Sequence, residues 1–198
     1  MKFRFLIWVF SVFAAAVILY AGQSLLLQKE IADKTVRLHV VANSDSPADQ
    51  QQKLIVRDAV LQQVSMLTSQ CNSAREAKTV ISDNLPLIKR AAQGVCDEEI
   101  TVSLQKENFE TRYYETFTLP AGEYPALRVS IGQAQGQNWW CVVFPSLCVS
   151  ATSQAVEEAA LTGGFTQEEA KLISGGTQEY ELRFMTLEWL QKLGNFLK

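Results

Sequence analysis

Histidine is nearly missing from this chain of 198 residues, where His39 stands alone. One imidazole gives little support to a zinc site, whose ligands come in sets of His and Cys, and neither a CxxC nor an HExxH occurs. No GxSxG elbow or GxxxxGK[ST] phosphate loop is present either, so no cofactor or metal is expected. Basic runs are missing too. The 18 Lys and Arg are scattered against 21 Asp and Glu, for a net charge of −3. That leaves no basic stripe of the kind that tracks a phosphate backbone, and no nucleic-acid partner is expected. No internal repeat, low-complexity run or Pro/Gly-rich linker divides the chain, and its length suits about one domain.

Charge is also missing from Phe5 to Ala21, 17 residues preceded by Lys2 and Arg4. Basic residues before an apolar core are the layout of a secretory signal or a signal anchor. A span needs roughly 17–25 apolar residues, so the length is sufficient. Small residues at −3 and −1 of a cleavage site are poorly supplied: Gly22 with Ser24 is the best pair, whereas Leu19 with Ala21 is bulky at −3. An uncleaved anchor is therefore favoured. The expected division is 1–24 as signal peptide or anchor, 25–34 as a short connector, and 35–198 as an extracytoplasmic domain.

Export gives the four cysteines meaning. Cys71, Cys96, Cys141 and Cys148 form an even set, and two disulfides are open to them in three connectivities. Local pairing, Cys141–Cys148 and Cys71–Cys96, is the preferred arrangement, with free buried thiols as the alternative.

The centre of the chain is Val36 to Leu61, VRLHVVANSDSPADQQQKLIVRDAVL. Val36, Leu38 and Val40 alternate with Arg37, His39 and Val41, as on a strand. Ser46 then caps a helix with Pro47 at its first position and Asp49 at the capping-box site. That helix, running to about Leu67, carries an apolar stripe over more than half its circumference, with Lys53 and Arg57 as a solvated rim. Ser73 with Glu76 starts a second helical region, which Pro86 should break near Asn84. Strands follow at Ile100–Gln105, Tyr113–Leu119, Ala126–Ile131 and Asn138–Phe144, with Pro120–Glu123 as a turn between the second and third. Two more helices begin at Ser153 and Thr166. A strand at Glu179–Phe184 and a final helix with Leu187, Leu190, Leu193 and Leu197 on one face complete an α+β fold, a largely antiparallel sheet with several helices packed on it.

Few residues offer chemistry. His39 with Asp45 or Asp49 is the one acid–base set an extracytoplasmic hydrolase could use, yet turn and cap roles already explain both carboxylates. The turn Asn43–Ser46 sits where a helix N-terminus could hold an anion, but no glycine allows close approach and Asp45 would repel one. Trp139 and Trp140 point to opposite faces of a strand, so one can be core while the other anchors a protein partner or rests at a membrane interface. Asn43, Asp45, Trp139 and Trp140 are therefore the candidate contact residues.

RLHVVANSDSPADQQQKLIVRDAVL, PAGEYPALRVSIG, NWWCVVFPSLC and ELRFMTLEWLQKL together resemble the stage II sporulation protein R family, over nearly the whole chain and in order. The chain departs at Ser146, where the family pattern carries proline, which concerns only a local turn. The resemblance implies a signalling protein of endospore-forming bacteria. Such a protein is made in the forespore and exported to the space between the two membranes. It activates a membrane-embedded, aspartic-type protease of the mother cell that processes the precursor of sigma factor E. It is a ligand and not the catalyst. A membrane-anchored structural adaptor is the remaining alternative.

Overall fold

The strand expected at Val36 is an inner strand of a four-stranded sheet in the computed structural model, which describes residues 2–148 and 152–175. In chain order the strands are β1 (Val36–Val41), β2 (Ile100–Phe109), β3 (Arg112–Tyr113), β4 (Thr118–Leu119), β5 (Gly122–Ile131) and β6 (Asn138–Phe144). The described helices are α1 (Lys2–Asp33), α2 (Pro47–Thr68), α3 (Ala74–Asp83), α4 (Leu85–Gln93), α5 (Ser153–Thr162) and α6 (Gln167–Ser174). The sheet order is β2-β5-β1-β6. β1 runs parallel to β5, and the other pairs are antiparallel. The architecture is α+β, as expected. The strand and final helix expected after residue 178 lie outside the described residues.

The strand pairing differs from the expected hairpin. Tyr113–Leu119 does not form one strand turning into Ala126–Ile131. It divides into β3 and β4, which pair with each other, while β5 pairs along its whole length with β2. The reason is hydrophobic register: Ile100, Val102 and Leu104 meet Ile131, Val129 and Leu127. These side chains lie on the face that α2, α3 and α4 cover, in one cluster with Leu38, Val40, Val56, Val60, Ile81 and Ile88. β1 is buried on both faces, and Arg37 and His39 are enclosed with the rest.

Three helix expectations are refined. Ser46 caps α2 by accepting from the Asp49 N–H, but the Asp49 carboxylate turns to Ser44 and Asn43 instead of closing a capping box. The buried stripe of α2 is narrow, running Lys53, Val56, Val60, Val64 and Thr68, while Ile55 and Met66 are exposed. Lys53 is not on a solvated rim. Its ammonium donates to Gln50 Oε1 (2.7 Å) and to the Gln137 carbonyl (3.0 Å), and burial pushes its pKa down. The break at Asn84 is present, with Pro86 in the first turn of α4.

Cys141 and Cys148 are bonded, with Cα atoms 6.1 Å apart, but Cys71 and Cys96 are free thiols. The second expected bridge fails on distance. The Gln52 side chain reaches the Val95 carbonyl beside Cys96, whereas Cys71 follows the other end of α2 at Thr68. About 24 Å of helix separates those ends, and a disulfide needs Cα atoms within about 7 Å. Burial is the main reason the Cys96 thiol is pushed up to about 11, with its hydrogen bond to Glu98 adding to the rise.

The short connector expected at 25–34 is helical to Asp33 and packs on the domain. α1 continues through it without a break, and Ser24, Gln28, Ile31 and Ala32 are buried. Gln28 donates to the Ala121 carbonyl, and Ile31 joins Leu119, Val142, Leu147, Val156 and Ile173 in a second core under α5 and α6. Lys34 then pairs with Glu169 of α6 at 2.6 Å. Ile31→Ala should therefore destabilise the domain by about 2–5 kcal/mol, read from urea unfolding of the full chain in micelles. Gly136→Ala should also destabilise it, by about 1–3 kcal/mol, because a Cβ there overlaps the Ser44 carbonyl, which is backbone and cannot rotate away.

Candidate functional site

The second face of the sheet is where the polar chemistry collects. Side chains alternate along a strand, so burying Leu38, Val40, Leu127 and Val129 on one face turns Arg37, His39, Ala126 and Arg128 to the other. Cross-strand register then sets Ser103, Arg128, His39 and Trp140 in one row across all four strands. The row is enclosed at its middle and open at its flanks: His39 and Glu107 are largely buried, Trp140 is half-buried, and the Arg128 side chain is 34% exposed.

His39 is held from three sides. Its Nδ1 lies 2.7 Å from Glu107 Oε2, its Nε2 lies 2.7 Å from Asn138 Oδ1, and its ring stacks on Trp140 at 5.7 Å. Both ring nitrogens face oxygen acceptors, so neither is free to take a proton from a bound substrate. Arg128 Nη1 sits 3.4 Å from Glu107 Oε1, and Gln105 donates to that same oxygen at 2.8 Å. Burial works to raise the Glu107 pKa. The hydrogen bonds from Gln105, His39 and Arg128 outweigh it and hold the carboxyl below its ordinary value of 4.5.

Below this row the face closes over Arg37, which is fully buried. Its guanidinium lies 4.0 Å from the Phe109 ring centre and 4.9 Å from that of Tyr124, and Nη2 donates to the Tyr114 hydroxyl at 2.9 Å. Nε and Nη1 have no acceptor among the described residues. Each such donor costs about 1–3 kcal/mol, which the two aromatic faces partly offset. Arg112 makes a similar contact at the margin, its guanidinium 3.8 Å from the Trp140 ring centre, and its enclosed Nε also lacks an acceptor.

The residues singled out from sequence separate into different roles. Asn43 Oδ1 accepts from the Gln133 N–H (2.9 Å) and Asp45 Oδ1 from the Gln137 N–H (2.7 Å), so both clamp the loop joining β5 to β6. Neither Asp45 nor Asp49 is a partner of His39. Trp139 points to the helical face, where the Arg57 guanidinium lies 4.9 Å from its ring centre. Trp140 alone of the four belongs to the polar row. In place of the expected Asp45 or Asp49, Glu107, 68 residues away, and Asn138 hold His39. The available signal was the pair of arginines opposite apolar neighbours, in Val36-Arg37-Leu38 and Leu127-Arg128-Val129.

A carboxyl held below its unfolded value adds stability above that value and loses it as pH falls through the folded one. Glu107→Gln should therefore cost about 1–3 kcal/mol near neutral pH, by removing the charged acceptor of His39 and Arg128. The gap between variant and wild type should close in unfolding curves taken below pH 4.5, where wild-type Glu107 itself protonates.

A family model described as stage II sporulation protein R matches residues 32–154, which run from the buried end of α1 through β6 to the start of α5. The Stage II sporulation protein R of Bacillus subtilis (strain 168) is 33% identical over 185 residues, covering 82% of this chain and 83% of that protein. No solved structure matches the chain. The matched span contains every residue of the polar row and both residues of the loop clamp, and the chain belongs to the stage II sporulation protein R family, with a role in sporulation.

Proposed function

We propose that the protein is the exported forespore-to-mother-cell signal of endospore formation. In this reading it acts in the space between the two membranes, where it binds and activates a membrane-embedded, aspartic-type protease that processes the precursor of sigma factor E. The observation that carries the reading is the likeness to Stage II sporulation protein R along most of both chains. Two features of the molecule support it. Helix α1 is long and apolar enough to cross a membrane, and it leads without a break into the folded domain. The polar row is built for contact: His39 is locked by acceptors on both nitrogens, and Trp140 and the two flanking arginines offer recognition chemistry.

The test is made in sporulating cells that lack their own family member. The full chain, expressed from the forespore, should restore conversion of the sigma factor E precursor on an immunoblot. Failure by a chain that is exported and stable would overturn the reading. His39→Gln, which keeps hydrogen-bonding groups in the row but cannot serve as a general base, should retain conversion; its loss with normal export and folding would favour the hydrolase alternative.

A further inference from the structure

One feature of the polar row is not used by the fold. The Trp140 ring occupies one face of the Arg112 guanidinium, and Nε on its edge has no acceptor among the described residues. A guanidinium carries its donors in its plane, so stacking uses the flat side and leaves the two-pronged edge for a planar anion. Stacking also fixes the orientation of that edge before anything binds. Across the row, Arg128 donates from Nε to Ser130 Oγ at 3.3 Å, and its Nη1 lies 3.4 Å from both Glu107 Oε1 and His39 Nδ1. Its side chain remains partly exposed, with no acceptor for Nη2 among the described residues. His39 lies between, with Trp140 and Arg128 as its lateral neighbours in register on either side. The Glu107 carboxylate is already taken by His39, Gln105 and Arg128, so it does not neutralise Arg112.

We infer that Arg112, stacked on Trp140, together with Arg128 forms a docking site for carboxylate side chains on an acidic extracytoplasmic segment of the partner protein. Arg112 grips one carboxylate through two parallel N–H···O bonds. Trp140 contributes the apolar wall beside it, and Arg128 takes a second acidic group on the same segment. The inference rests on the proposed function for the identity of the partner, but the site's chemistry does not depend on it.

Two measurements test the site. In the sporulating-cell assay, with the full chain at equal exported amounts, Arg112→Ala and Arg112→Lys should each slow precursor conversion at least ten-fold. Lysine keeps the charge but loses the fork. Arg75→Ala, an exposed arginine on α3, should leave the rate unchanged. In the second, the 15N-labelled full chain in micelles is titrated with a pentaglutamate peptide and with its pentaglutamine analogue. The Trp140 indole signal should move only with pentaglutamate, and that movement should vanish in Arg112→Ala but not in Arg75→Ala. Conversion at the wild-type rate by Arg112→Lys, or equal shifts with both peptides or in both variants, would overturn the site. If the wild-type chain fails to restore conversion while the Arg112-dependent shift is present, the site stands and the proposed function falls.

Discussion

Everything in the domain depends on β1 burying both of its faces. A strand held between a parallel and an antiparallel neighbour has no free edge, and once helices cover one face the other must also be accounted for. Leu38 and Val40 meet the helical layer without difficulty. Arg37 and His39 cannot, and the second face is organised around them. Arg37 takes two aromatic rings and a tyrosine hydroxyl. His39 takes a carboxylate, an amide oxygen and an indole ring. Polar groups kept in a low-dielectric setting have to be satisfied with defined geometry, and the candidate recognition row follows from that requirement.

The elements with local causes were legible in the chain itself. Ser46 and Pro47 mark the start of α2 because capping needs only neighbouring residues, and Pro86 interrupts a helix wherever it stands. The strand pairing was not legible. Pro120–Glu123 has turn composition, but its neighbours chose partners by matching buried side chains over long range, and local turn chemistry does not encode that choice. The burial of Lys53 is hidden for a related reason: the Gln137 carbonyl, one of its two acceptors, lies 84 residues away.

The candidate site was half visible. Trp140 and His39 stand out as rare residue types, whereas Glu107 and Arg112 look like ordinary surface charges until the fold sets them against a buried imidazole and an indole. The polar turn at Asn43 and Asp45 stands out for the opposite reason. It is conspicuous because it clamps a loop whose Gly132 and Gly136 lie hard against it.

The unbroken α1 has a mechanical consequence. With the apolar segment retained, the domain is a head on a rigid post and not a ball on a leash. It has no slack between span and domain. Its height is set by one helix, and its tilt follows the tilt of the span. Any surface of such a head sweeps only a thin slab parallel to the membrane that holds the post.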